Sequence, residues 1–317
     1  MASGAAPPPA PVERVRREGG LVKFAQRLAD GALIESVVVP MRTKERGKER
    51  RTLCVSTQVG CRMGCVFCAT GRMGLVRDLT SEEIVGQAQA AEELGLRPDN
   101  LVFMGMGEPL DNFDNWAEAV RRLIASRARP GERPRAYSTR GMIVSTCGLL
   151  PGLERLARLG WRHLVLAVSL NAPNDEIRSR LMPVNRRWPM AELRAALARH
   201  PLRGGIFLAE YVLFRGVNDS REHARELAAW LKPFRAAVNL IAYNPVGDGG
   251  AEEPFESPSA AEVERFKRWL NAEGQYARRR LAKGRRIAAA CGQLAARDPL
   301  ARVPRGVTAR AEFSARA

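Results

Sequence analysis

The sequence is short of histidine and of long apolar runs, and each shortage limits what the protein can be. Its 317 residues include three histidines, all in the second half of the chain. No apolar run approaches the roughly 18 residues that a membrane-spanning helix needs. Residues 1–20 are rich in Ala, Pro and Arg and lack the apolar core of a signal peptide. We therefore predict a cytoplasmic protein with no membrane partner.

Acidic residues are also scarce. The chain has 34 acidic residues against 51 basic ones, which gives a net charge of +17. Such an excess is the electrostatic pattern of a protein that handles a polyphosphate partner, and it predicts a nucleic acid. Arg and Ala dominate throughout, so an arginine-rich overall composition is the alternative explanation.

Six cysteines in a chain of this length favour a reducing compartment over a secreted disulfide scaffold. Three of them, Cys61, Cys65 and Cys68, form a C-x3-C-x2-C pattern just after the apolar run 52–56. They are too crowded for a set of disulfides, and no fourth ligand for a closed zinc site lies nearby. A [4Fe–4S] cluster held by three thiolates would leave one iron open. A zinc knuckle with a distant fourth ligand is the alternative.

Short apolar strands alternate with helices after these cysteines. Residues 80–83 form a capping box that opens a helix reaching about residue 95. Further helices are predicted over residues 115–126, 150–159, 191–199, 220–231 and 260–273, and strands over residues 101–104, 142–145, 163–170, 206–213 and 238–243. This alternation is typical of βα units with a parallel sheet, either in a barrel or in a doubly wound open sheet.

The two ends of the chain have weaker patterns. We predict disorder in residues 1–20, a short helix over residues 21–30 and a strand over residues 32–40 that carries Glu35. The stretch from residue 275 onwards is basic, and residues 297–317 are predicted to form a loose tail.

The cysteine spacing is similar to that of the radical S-adenosylmethionine (SAM) enzymes. The resemblance implies one [4Fe–4S] cluster on Cys61, Cys65 and Cys68, with SAM bound at the open iron. It favours a fold of the α/β class, a partial (βα)6 radical SAM barrel in residues 52–296 with a short N-terminal extension in residues 21–51. It also implies an electron donor such as flavodoxin or ferredoxin, and we expect a monomer.

Four ordered blocks sharpen the resemblance to one family. They read LCVSTQVGC (53–61), MGMGEP (104–109), LNAPNDEIR (170–178) and AACGQL (289–294). Together they are similar to the radical SAM RNA adenine methyltransferases, which modify adenine C2 in ribosomal and transfer RNA or adenine C8 in the related resistance enzymes. Only 34 residues precede Glu35, where the family usually has a separate N-terminal helical domain. The resemblance is therefore to a short form, for which we expect an altered RNA target.

The resemblance assigns the cofactor contacts and the catalytic residues. The residues matching the family's SAM contacts are Gly107, Glu108, Ser145, Ser169, Leu170, Asn171 and Asn244. The family usually has His where this chain has Asn171. For catalysis, Cys291 matches the methyl-carrying cysteine, Cys54 the second cysteine that releases the product and leaves a disulfide, and Glu35 the proton acceptor. For Cys147 the expectation is either a buried, unreactive thiol or an incidental neighbour of the SAM site.

The function implied is methylation of an adenine ring carbon, C2 in preference to C8, in ribosomal or transfer RNA. Arginines in the stretches 127–140 and 278–286 are predicted to contact phosphates. Two other functions stay open at this point: a radical SAM enzyme with another substrate, and a non-catalytic RNA-binding relative.

Overall fold

The computed structural model describes residues 8–42, 49–125, 137–201, 206–246 and 255–295. Within these residues the strands are β1 (Val12–Glu18), β2 (Leu21–Arg27), β3 (Leu33–Arg42), β4 (Glu49–Cys54), β5 (Gln58–Gly60), β6 (Leu75–Asp78), β7 (Asn100–Phe103), β8 (Met142–Thr146), β9 (Val165–Ser169), β10 (Ile206–Leu213), β11 (Arg235–Ala242) and β12 (Ala277–Arg279). The α-helices are α1 (Ala69–Arg72), α2 (Ser81–Glu93), α3 (Phe113–Ala125), α4 (Leu150–Arg158), α5 (Asp175–Leu181), α6 (Met190–Arg199), α7 (Arg221–Leu231) and α8 (Ala260–Ala272).

Ten strands form one sheet in the order β1-β2-β3-β4-β7-β8-β9-β10-β11-β12. From β4 to β12 every neighbouring pair is parallel. The strand order follows the chain without the reversal that defines a doubly wound sheet. This confirms the partial barrel and excludes the doubly wound sheet. The barrel is incomplete, because the end strands β1 and β12 do not pair with each other.

The N-terminal strands correct two predictions. Residues 21–30 were predicted to be helical, but β2 pairs antiparallel with both β1 and β3. Six of its seven residues are buried, so its apolar residues follow neither the alternation of a half-exposed strand nor a helical period. Residues 1–20 were predicted to be disordered, but β1 lies within them. The predicted tail after residue 296 lies outside the described residues.

The helices begin where the sequence predicted. The Thr80 side chain accepts from the backbone N–H of Glu83, whose carboxylate accepts in return from the N–H of Thr80. This confirms the capping box, which satisfies two donors that a helix start leaves free. Ser259 and Glu262 cap α8 in the same way.

The last described stretch, residues 283–295, crosses from the end of β12 back to the N-terminal strands, and we call it the closing segment. The Lys283 ammonium donates to the carbonyl of Pro40 at 2.6 Å. Farther along, the N–H of Ala69 donates to the carbonyl of Gly292 at 2.7 Å. The closing segment therefore runs from the β12 side of the sheet to β3 and passes beside the predicted cluster loop.

Candidate active site

The three cysteines of the C-x3-C-x2-C pattern lie in the loop between β5 and α1. The N–H of Cys61 donates to Gly74 at 2.8 Å and that of Cys68 donates to Cys65 at 3.1 Å. Cys68 is also the residue before the first turn of α1. The loop is therefore fixed by backbone hydrogen bonds at both of its ends.

The environment of the three thiols fits an iron–sulfur cluster. Burial raises the pKa of Cys61, Cys65 and Cys68, and the neighbouring thiols raise the pKa of Cys61 and Cys65 further. Three thiolates so close together need a cationic partner, because metal ligands bind deprotonated. In the described part of the chain no three Cys, His, Asp or Glu side chains surround a single ion position. Each thiolate of a [4Fe–4S] cluster binds a different iron, so this spacing suits a cluster.

Glu108 lies beyond the carboxyl end of β7, next to this loop. Its carboxylate accepts from the N–H of Cys147 at 2.9 Å and from the N–H of Leu110 at 3.1 Å. Burial raises the pKa of Glu108 to about 6, and an ammonium group bound beside it would lower that pKa again. Gly107 has φ +96°, and a Cβ there would lie 2.5 Å from Cβ of Gln58. A buried carboxylate on a backbone that only glycine permits matches the predicted contact to the SAM amino group.

The other predicted cofactor residues follow the carboxyl ends of neighbouring strands, where barrel enzymes build their sites. Ser145 is near the end of β8, and Ser169 and Leu170 are at the end of β9. Asn244 follows β11, and its amide donates to the carbonyl of Cys291 at 3.1 Å. The structure thus brings these residues to the end of the sheet at which the parallel strands finish. The amide of Asn244 connects this end to the closing segment.

The side chain of Asn171 has protein partners instead. Its backbone is left-handed, with φ +57°, a conformation that Asn and His tolerate better than most residues. Its Oδ1 accepts from the N–H of Val212 at 2.9 Å, and its Nδ2 donates to the sulfur of Met182 at 3.3 Å. The hydrogen bonds predicted for a cofactor at this position are therefore directed to β10 and to the start of the loop after α5.

Cys54 and Cys291 come together although they are far apart in the chain. Cys54 is partly buried at the end of β4, and Cys291 is exposed on the closing segment. Burial raises the pKa of Cys54 to about 12; the nearby Cys291 raises it as well, whereas Arg280 opposes the rise. All six cysteines are free, so the disulfide expected after turnover is not formed in this structure.

Glu35 lies on β3, which pairs with β2 on one side and β4 on the other. It is therefore a residue of an interior strand and not of an edge strand. It is 8% exposed. One carboxylate oxygen is 2.8 Å from the ammonium of Lys23, and the other accepts from the N–H of Ala295 at 3.1 Å. The predicted proton acceptor therefore contacts the same closing segment that carries Cys291.

Two charged residues near the site were missed by sequence reasoning. Arg178 is 1% exposed; its guanidinium donates to Asn185 at 2.8 Å and to the carbonyl oxygens of Cys147, Ser169 and Leu170. Glu210, in the middle of β10, accepts from Asn239 at 2.6 Å. The signal available for Glu210 was a lone carboxylate inside an apolar strand, and for Arg178 its place at the end of the third matched block.

The basic stretch after residue 277 is less free than predicted. Arg278 donates to the side chain of Asn239, and a guanidinium nitrogen of Arg280 lies 3.7 Å from Glu210. Both arginines thus have a polar partner on the sheet, but Arg278 is exposed and the Arg280 side chain is 40% exposed, so their predicted phosphate contacts stay a prediction. Arg286 is exposed on the closing segment. The predicted contacts of residues 127–135 lie outside the described residues.

The comparisons with known proteins agree with this geometry. The sequence model of the radical SAM superfamily matches residues 55–228. A solved radical SAM methyltransferase from Sphaerobacter thermophilus is 43% identical and superposes with a TM-score of 0.79, over 90% of this chain and 81% of that one. The chain belongs to the radical SAM superfamily, whose members use a [4Fe–4S] cluster and SAM.

Curated relatives place the chain more narrowly. A dual-specificity RNA methyltransferase RlmN from Nitratidesulfovibrio vulgaris is 46% identical over 88% of this chain and 75% of its own length. Another from Syntrophotalea carbinolica is 46% identical over 87% of this chain and 70% of its own length. The chain belongs to the family of dual-specificity RNA methyltransferases RlmN.

The helices in the described ranges include none with the length and apolar character of a membrane-spanning segment.

Replacing Gly107 by Ala is expected to weaken SAM binding at least about tenfold, since the new methyl group would displace the backbone that holds Glu108. Equilibrium dialysis with SAM on the iron-loaded protein measures this. Gly95→Ala is the matched control, because Gly95 also has a positive φ, +74°, but has open space around it. Equal SAM affinity in the two variants would contradict the role given to Gly107.

Replacing Arg178 by Lys is expected to lower the free energy of unfolding by about 3 kcal/mol, because one ammonium cannot satisfy acceptors on three loops. Urea denaturation of the anaerobic protein measures the loss. Arg180→Lys, an exposed change on the same helix, should stay within about 0.5 kcal/mol of the unmodified protein. A similar small effect at Arg178 would show that its hydrogen bonds contribute little.

Proposed function

We propose that this protein is a radical SAM RNA methyltransferase that methylates a ring carbon of adenine, C2 in preference to C8, in ribosomal or transfer RNA. The observation that carries the proposal is that Cys54, Cys291 and Glu35 all lie around residues 288–295, beside the three-cysteine loop. These residues come from β4, the closing segment and β3, and they share one neighbourhood through the contacts of residues 288–295. Membership of the RlmN family supports RNA as the substrate.

The residues divide the chemistry between them. Cys61, Cys65 and Cys68 would hold the cluster, which would supply the electron that cleaves SAM into methionine and a carbon radical. Glu108 and Gly107 orient the amino group of SAM, with Ser145, Ser169, Leu170 and Asn244 along the same edge of the sheet. Asn171 lies there as well, with its side chain bonded to Val212 and Met182 and its backbone bonded to Glu210 and Asn218.

The exposed thiol of Cys291 carries the carbon that is passed to the RNA base. Exposure suits this role, because the target adenine has to leave its stack and approach the protein. After the carbon radical adds to the base, Glu35 takes the proton that the ring carbon loses, and the cluster would accept the remaining unpaired electron. The Cys54 thiolate then attacks the sulfur of Cys291: an S–S bond forms, the S–C bond to the nucleotide breaks, and the electron pair goes to that carbon, which takes up a proton to complete the methyl group. The resulting disulfide is reduced before the next cycle by a thiol or another external donor.

The proposal includes a flavodoxin- or ferredoxin-type electron donor, a monomeric protein and a cytoplasmic location. Support for the location comes from the sequence, because an oxygen-sensitive cluster and reactive thiols both need a reducing compartment. The rival of a non-catalytic RNA-binding relative is disfavoured by the retention and convergence of Glu35, Cys54 and Cys291. A radical SAM enzyme with another substrate is disfavoured by the same three residues and by the RlmN relatives.

The Cys54→Ala variant tests the proposed chemistry. It is expected to accept a methyl group on Cys291, attack RNA and stall as a covalent protein–RNA adduct, because no thiol is left to release the base. Denaturing gels with labelled RNA, and mass spectrometry of the Cys291 peptide, detect the adduct. Cys147→Ala is the control for loss of a thiol: Cys147 bonds to Glu108, so this variant is expected to weaken SAM binding but to leave no covalent adduct. Normal turnover of Cys54→Ala without an adduct would contradict the proposed role of Cys54.

The Arg286→Gln variant tests RNA binding at the closing segment. A lost phosphate contact should weaken binding to unrelated RNAs alike and reduce the salt dependence of binding by about one counterion. Arg158→Gln serves as the control, because Arg158 is exposed at the end of α4. This position precedes β9 and lies near the amino ends of the strands, whereas the site lies at their carboxyl ends. Fluorescence anisotropy at several salt concentrations gives both slopes. An unchanged salt dependence for Arg286→Gln would show that Arg286 does not contact an RNA phosphate.

A further inference from the structure

The Lys23–Glu35 pair is a nearly buried ion pair between neighbouring strands. Lys23 on β2 and Glu35 on β3 are diagonal neighbours in the antiparallel register. The ammonium lies 2.8 Å from the carboxylate, with side chains that are 9% and 11% exposed. Burying two opposite charges costs desolvation energy, which is recovered only when further hydrogen bonds satisfy both groups. The further partners of the pair therefore indicate what it does.

Both further partners belong to the closing segment. Lys23 donates to the carbonyl of Ala288 at 2.9 Å, and Glu35 accepts from the N–H of Ala295 at 3.1 Å. Residues 288 and 295 lie on either side of Cys291. Each member of the ion pair thus holds one end of the stretch that carries the exposed thiol.

Ala288 is a position where the backbone needs support. It has φ +51°, a left-handed conformation that is strained for a residue with a Cβ. The bond from Lys23 to the carbonyl of Ala288 helps to keep this conformation in place. Between the two ends, Gly292 and Leu294 bond to the start of α1, and Cys291 bonds to Asn244.

We propose that Lys23 is a positioning residue, and that the Lys23–Glu35 pair clamps both ends of residues 288–295 for as long as Glu35 is charged. The inference rests on the proposed function for the roles of Glu35 and Cys291. It adds a residue and a coupling that the proposed chemistry does not require.

The coupling follows from the charge of Glu35. A proton taken from the ring carbon turns the carboxylate into a neutral acid, which is a weaker acceptor for both Lys23 and the N–H of Ala295. The clamp then loosens after the proton has left the base, at the stage when the sulfur of Cys291 must meet that of Cys54. The other charged groups that face Lys23 are Arg14 and Arg16 of β1. Both are cations, so they leave Glu35 as the anion that sets the strength of the clamp.

Hydrogen–deuterium exchange of residues 288–295 in the iron-loaded protein, without RNA, tests the clamp. Lys23→Met removes the cation, and Glu35→Gln imitates the neutral acid with almost the same shape. Both are expected to speed exchange in this stretch by about tenfold or more, the effect of losing one charge-assisted hydrogen bond. Lys23→Arg keeps the charge and should restore most of the protection. Arg27→Met is the control, since Arg27 ends the same strand and pairs with Glu13 at the surface.

Exchange in Lys23→Met and Glu35→Gln that equals exchange in Arg27→Met would overturn the inference. Fast exchange in Lys23→Arg as well would overturn the charge dependence. If Lys23→Met does not fold, the nearly isosteric Glu35→Gln decides alone. The proposed function is tested separately by methylation of Cys291 in the unmodified protein. A clamp without a methylated Cys291 would refute the chemistry and keep the clamp, and the reverse result would refute only the clamp.

Discussion

The position of Cys291, the proposed methyl-carrying residue, depends on hydrogen bonds between α1 and the main chain of the closing segment. The N–H of Ala69 donates to the carbonyl of Gly292, and the hydroxyl of Thr70 donates to that of Leu294. The same helix packs closely on the cysteine loop: a Cβ at Gly71 would lie 2.8 Å from the carbonyl oxygen of Cys65. One short helix is therefore fixed on one side to the predicted cluster ligands and on the other to the residues beside Cys291. Main-chain contacts set the relation between the two groups of cysteines.

The incomplete barrel makes this arrangement useful. A closed barrel of eight strands is filled by its own side chains and leaves its site to the loops. Here the sheet stays open, and residues 283–295 cross the open side between β12 and the N-terminal strands. A nucleotide presented by a large folded RNA needs such an opening. The segment that partly covers it also carries the thiol that would meet the base, so access and chemistry are controlled by the same stretch of chain.

Local signals in the sequence predicted the elements well, and long-range contacts were beyond them. The capping box at Thr80 and the apolar strand 206–213 act within a few residues, so both were recognised. β2 was mistaken for a helix because burial on both faces removes the alternation that would mark a strand. The contacts of Lys23 and Glu35 to the closing segment join positions more than 250 residues apart, and no pattern in the sequence predicts such pairing. Family resemblance supplied Cys54, Cys291 and Glu35, but not the residues that hold them.

Some of the basic residues lie beside acidic groups near the site. Lys23 lies beside Glu35, Arg280 lies near Glu210 and the two reactive thiols, and Arg178 lies near the cysteine loop. Arg178 is bonded to carbonyl and amide oxygens, not to a carboxylate, so its charge is not neutralised by a direct partner. A buried cation is stable only where an anion or a set of oriented dipoles compensates it. The acidic groups within its reach are the carboxyl of Asp175 and the thiols of Cys65 and Cys147. These three cations thus belong to the site's own electrostatics, and only the remaining basic surface is left to attract RNA.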